Sequence, residues 1–133
     1  TCMDARVDPC SAYGISLGGA HVIRNAGGSA KEALRSLVIS EQLLGTREIL
    51  LVKHTGCGIL TFSNNDATAV VQKNLGEGPA KELEGLNFLP FPQLKKAVEE
   101  DVQSSMSSKA IPEKVVVSGR VYEVETMKVR QVT

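Results

Sequence analysis

Net charge is absent: fifteen basic and fifteen acidic side chains cancel over 133 residues. No broad basic field exists to hold a nucleic-acid backbone or an anionic membrane surface. No apolar run approaches the roughly 18 residues that a spanning helix needs, and no charged-then-apolar leader opens the chain. A soluble protein with neither a nucleic-acid nor a membrane partner is expected. Cysteines number three, an odd count that makes no disulfide framework and points to a reducing compartment, the cytoplasm. Low-complexity tracts, internal repeats and dividing linkers are missing as well, so residues 1–133 read as one domain.

The patterned segments predict alternating strands and helices. Ala20-His21-Val22-Ile23-Arg24 is β-rich and runs into Asn25-Ala26-Gly27-Gly28. It predicts a buried strand leaving its sheet through a glycine loop, with His21 a hydrogen-bonded core histidine. Ser29 and Glu32 form a capping-box pair ahead of Ala33, Leu34, Leu37, Val38, Gln42 and Leu44, with Gly45 as the stop. Glu48 to Lys53 has the near-continuous apolar character of a parallel strand covered on both faces, and His54 sits at its C-terminal end. Asn64 or Asn65 caps a second helix through Leu75, followed by a loop from Gly76 to Pro92. Leu94, Ala97, Val98 and Val102 mark a third helix. Lys114 to Ser118 predicts a strand, and Arg120 to Glu125 with Lys128 to Val132 a closing hairpin. Together these predict an α/β fold: a mostly parallel β-sheet flanked by helices, with an antiparallel C-terminal edge.

Two segments carry chemistry, Cys2-Met3-Asp4-Ala5-Arg6 and His54-Thr55-Gly56-Cys57. If each ends a strand, both face one crevice at the carboxyl edge of the sheet, and Cys2, His54 and Cys57 converge. A strand closed by Cys2 would begin ahead of Thr1, so the N terminus reads as trimmed, without the start of the first strand. Two thiolates and an imidazole suit Zn2+ in softness and number, and three protein ligands leave a fourth position for water or substrate. The same residues also fit a blander account, with two buried small hydrophobes and a loop histidine, and spacing alone does not separate the two. Asp4 and Arg6 lie on one side of an extended segment and can pair. They read either as an ordinary surface ion pair or as a carboxylate that orients a water at the metal while Arg6 keeps it ionised.

The paired signatures C-x-D-x-R and H-x-x-C resemble those of the β-class carbonic anhydrases. So do Val7-Asp8-Pro9, the run from His21 to Gly28, Arg35-Ser36-Leu37, the run from Leu44 to Glu48, and Val117-Ser118-Gly119, all in the manner of the compact bacterial and fungal branch. The resemblance implies the β-carbonic anhydrase fold, zinc ligands at Cys2, His54 and Cys57, and a catalytic dyad of Asp4 and Arg6. It implies zinc-activated hydroxide attacking carbon dioxide to give bicarbonate, in a homodimer or dimer of dimers. In some members the dyad aspartate itself binds the metal. The N-terminal arm that wraps the neighbouring subunit in many members is not seen before Cys2. Gly56, Lys53 and Gly19 stand where members usually carry Asp, often carry His, and carry Asp. A glycine between two ligands frees their loop, which predicts reduced hydration activity. Two other functions compete: a carbonyl sulfide or carbon disulfide hydrolase on the same scaffold, and a non-catalytic zinc-binding domain. A purely structural site would more often use a fourth Cys or His.

Overall fold

The computed structural model describes residues 1–133. The apolar run after residue 47 forms β1 (Glu48–His54), which pairs in parallel with β2 (Val116–Glu123) from Glu48 opposite Val116 to His54 opposite Tyr122. β2 turns into β3 (Lys128–Gln131), antiparallel to it, so the order is β1-β2-β3. This is the expected α/β arrangement with its antiparallel C-terminal edge. Its parallel part comprises one strand pair and a single bridge between Cys2 and Asn25.

Two expectations about strands are corrected. Lys114 to Ser118 and Arg120 to Glu125 are not separate strands, because β2 runs unbroken through Gly119. Glycine stands there for packing: a Cβ would meet Val98 Cγ1 at 2.5 Å and Val102 Cγ2 at 2.9 Å. The segment from Ala20 to Arg24 is not a strand either. Its residues Ala20 to Ile23 pair with no strand and line, together with Glu48 to Val52, a cleft of about 470 Å³. His21 is therefore exposed rather than in the core, with Nδ1 2.7 Å from Ser40 Oγ.

α2 (Ala30–Val38) starts where Ser29 Oγ accepts from Glu32 N. It continues through one wider turn (Ile39–Leu43) to Gly45, whose φ of +78° suits only glycine without strain. α5 (Leu94–Ser107) packs on α2, β1 and β2. Ala30, Ala33 and Leu37 of α2, Ile49 and Leu51 of β1, and Val102 of α5 make the main core. Strand alternation sends Ile49, Leu51 and Lys53 to this helical face and Val52 and His54 to the other, where Val52 meets Val7 and Tyr122.

The second helix, α3 (Asn64–Leu75), is capped by Ser63 rather than by Asn64 or Asn65. Ser63 and Asp66 form the reciprocal box, and Asn64 Oδ1 is taken by Phe88 N at 2.9 Å. Two short helices lie where none was expected. α1 (Pro9–Tyr13) has Pro9 at its start and Asp8 accepting from Ser11 N, and α4 (Glu77–Lys81) follows α3. No helix is long and apolar enough to cross a membrane.

The Gly119 contact can be tested. Val98 is fully buried and its β-branched side chain has one favoured helical rotamer, so it cannot yield to an added methyl. Gly119→Ala should cost about 1–3 kcal/mol by overpacking, read as a lower urea midpoint at unchanged slope. An unchanged midpoint would show that α5 moves away freely.

Candidate metal centre

Three side chains meet beyond the C-terminal end of β1. Cys2 is tied to Asn25 by Met3 N donating to Asn25 O (2.8 Å) and Asn25 N to Thr1 O (3.2 Å). His54 is the last residue of β1, and Cys57 opens the 3-10 turn Gly58–Thr61. Their donor atoms lie within 4.8 Å of one another, the two sulfurs 3.9 Å apart, and all three residues are buried. The convergence expected from the two motifs is therefore present in the folded chain, with Cys2 bridged in parallel to Asn25.

The imidazole shows what the cluster is suited to hold. His54 Nδ1 lies 2.8 Å from Thr55 O, and a carbonyl only accepts, so Nδ1 carries the proton and Nε2 presents a lone pair. That Nε2 is buried and has no hydrogen-bond partner. A buried acceptor left unpaired costs free energy, yet this one faces two sulfurs. One imidazole and two thiols are a donor set that fits zinc in softness and count. Burial pushes the Cys57 thiol up to about 11, so a metal must displace its proton on binding.

Asp4 and Arg6 sit against this cluster. Asp4 Oδ1 accepts from Arg6 N (2.9 Å) and Nε (3.0 Å), and Oδ2 accepts from Nη2 (2.8 Å). The same Oδ2 is 3.7 Å from His54 Nε2. Hydrogen bonds from the Arg6 side chain, then from its backbone, hold the Asp4 carboxyl far below the usual carboxylate range. Arg6 also donates to Gly56 O at 2.9 Å.

Gly56 does not leave the ligand loop free. Its φ of +61° is the left-handed conformation that favours glycine, and Arg6 holds its carbonyl. Thr55 donates through N to Tyr122 O and through Oγ1 to Glu125, and its Oγ1 accepts from Val124 N. The looseness expected from composition is opposed by these bonds.

Arg24 escaped the motif reading. Its Nε donates to Cys2 O (3.1 Å) and its Nη2 to Asp4 O (2.7 Å), so it carries the backbone of the first motif. Its signal in the sequence was an arginine closing an apolar run, within the His21 to Gly28 segment that resembles the family. Cys10 is exposed and stands outside the cluster.

A family model described as carbonic anhydrase matches residues 1–129. The chain is 38% identical to β-carbonic anhydrase 1 of Mycobacterium tuberculosis, over 99% of this chain and 78% of that protein. It is 31% identical to the carbon disulfide hydrolase of Saccharolobus solfataricus, over 98% of this chain and 74% of that one. Among solved structures it matches the carbonic anhydrase from Glaciozyma antarctica with a TM-score of 0.95 and 44% identity, over 99% of this chain and 78% of the other.

The Asp4 geometry has a pH signature. A carboxylate with a lowered folded pKa stabilises the fold above its unfolded value of about 3.9, and that contribution is lost as pH falls through the folded pKa. Carbon-13 NMR of the metal-free protein should place the Asp4 midpoint below about 3.9, and Arg6→Ala should raise it toward that value. A midpoint that Arg6→Ala leaves in place would remove Arg6 as the cause.

Proposed function

The chain belongs to the β-class carbonic anhydrase family, and from that premise we propose that it catalyses the reversible hydration of carbon dioxide to bicarbonate and a proton, with one zinc ion held by Cys2, His54 and Cys57. The observation that carries this reading is the buried, unpartnered Nε2 of His54 facing two sulfurs, with the Asp4 carboxylate 3.7 Å away. Zinc bound there supplies the Lewis acidity that turns water into a nucleophile near neutral pH. The chain's own residues do the rest. Thr55 O fixes the His54 tautomer and ring orientation through Nδ1. Arg6 occupies both Asp4 oxygens, which keeps the carboxylate ionised and makes it an acceptor rather than a fourth ligand. Asp4 Oδ2 would accept a hydrogen bond from the attacking oxygen, which keeps its proton, so that the oxygen lone pair faces the carbon of the substrate. The proton released on hydration leaves to buffer.

Carbon disulfide hydrolysis, which converts carbon disulfide and two waters to carbon dioxide and two molecules of hydrogen sulfide, is the second reading. Relatives named carbon disulfide hydrolase support it at 31% and 32% identity. A linear molecule with an electrophilic central carbon offers the same target to the same nucleophile. Stopped-flow hydration of carbon dioxide, run beside sulfide release from carbon disulfide, separates the two. Faster sulfide release would transfer the assignment to the hydrolase.

The purified protein should hold about one zinc per chain, and Cys57→Ala should lose it. Asp4→Asn should keep the metal while losing about ten- to a hundredfold in turnover, because the amide keeps the shape and removes the charge. Full zinc in the Cys57 variant would remove that residue from the site, and unchanged turnover in the Asp4 variant would remove the dyad. Exposed Leu17, Leu43 and Leu44 support self-association as a homodimer or dimer of dimers. Sedimentation velocity should show a dimer or larger species, and a monomer at every concentration would contradict this.

A further inference from the structure

We propose that Lys53 is a positioning residue whose ammonium clamps the Gly27-Gly28 turn against Thr1 and Cys2, and so sets where the Cys2 sulfur meets His54 and Cys57. The inference builds on the metal-site reading above but rests on a separate set of contacts. Lys53 is 3% exposed, in the residue just before His54. A buried lysine is rare unless all its donors find partners. Here they do: Nζ donates to Gly27 O (3.0 Å) and Gly28 O (3.2 Å) and pairs with Asp101 Oδ2 (2.8 Å), with the Phe91 ring centroid 4.7 Å away. The Asp101 Oδ2 also accepts from Ala30 N in the first turn of α2. One ammonium thus joins β1, the glycine turn, the start of α2 and α5.

The glycine turn passes this restraint to the first ligand. At Gly28 (φ +60°) a Cβ would lie 2.9 Å from Thr1 C and 3.0 Å from Cys2 N, so the turn's backbone is packed directly on the Cys2 backbone. Cys2 forms a parallel bridge with Asn25, in the same turn. His54 and Cys57 are placed by β1 and its outgoing loop. Cys2, whose carbonyl Arg24 also holds, is registered to them through Asn25, Gly28 and Lys53. The pair with Asp101 offsets the cost of burying the charge that does this.

The test uses the full chain, metal-free and with zinc. Removing Lys53 alone would strand the Asp101 charge, so the main variant is Lys53→Met with Asp101→Asn. Ile111→Ala serves as a control, since it opens a cavity in the apolar core and removes none of the Lys53 contacts. In the metal-free double variant, modification of Cys2 by a thiol reagent, located by mass spectrometry, should accelerate at least about tenfold, as expected for a freed local segment. The control should keep Cys2 protected. Zinc affinity, by competition with a chromophoric chelator, should fall about ten- to a hundredfold in the double variant, and the thiolate-to-cobalt absorption of the cobalt form should weaken. Asp101→Asn alone keeps every contact but one charge and should show the same changes at roughly a third of the size or more, which covers a double variant that does not fold. Wild-type protection of Cys2 together with wild-type zinc affinity in these variants would overturn the proposal. If the wild-type chain takes up no zinc, the metal-site reading fails, and the thiol-protection arm still decides the role of Lys53.

Discussion

A buried nitrogen lone pair with no donor is a cost, and at His54 the fold carries that cost where two thiols converge. The surrounding arrangement follows from holding that acceptor in place. Thr55 O accepts a hydrogen bond from Nδ1, so Nε2 cannot satisfy itself by changing tautomer. Burial raises the Cys57 thiol and keeps it from ionising without a reason to do so. The cluster is therefore poised for a cation and poorly served without one. Its geometry is already set by backbone contacts.

Three cations carry those backbone contacts, although the chain as a whole is neutral. Arg24 donates to Cys2 O and Asp4 O, Arg6 to Gly56 O and both oxygens of Asp4, and Lys53 to Gly27 O and Gly28 O. The reason is an accounting of backbone acceptors. Segments 1–6, 25–28 and 55–58 leave regular structure to reach the site, so their carbonyls need donors other than a sheet ladder. Long cationic side chains supply several donors from one anchor. Composition alone hides this, because a net charge says nothing about where charge collects.

Behind the site, the parallel pairing of β1 with β2 and the close seat of α5 on Gly119 fix the strand that ends in His54. α5 then brings Asp101 to Lys53. Helix packing on one face of the sheet is thus linked to ligand placement at its edge.

Much was legible in the chain itself. Helical and strand periods marked α2, α3, α5, β1 and the closing hairpin, because each has an apolar face that repeats with the backbone. The two motifs pointed to Cys2, His54 and Cys57 with Asp4 and Arg6, since those side chains are chemically distinctive and closely spaced within each segment. What local pattern could not supply was decided by contacts between distant residues. The β-rich run from Ala20 to Arg24 forms no strand, because its pairing depends on a neighbour and not on its own propensity. Gly119 looked like a break and is a packing contact, Gly56 looked like slack and is a held turn, and Ser63 took the cap that Asn64 gave up to bind Phe88 N. Arg24 and Lys53 lie outside the two ligand motifs. Their roles come from carbonyls some twenty to thirty residues away in sequence, and only the tertiary fold brings those carbonyls within 3.2 Å. Residue type and spacing determine which chemistry is available, while a hydrogen bond across the fold is set by where the whole chain closes.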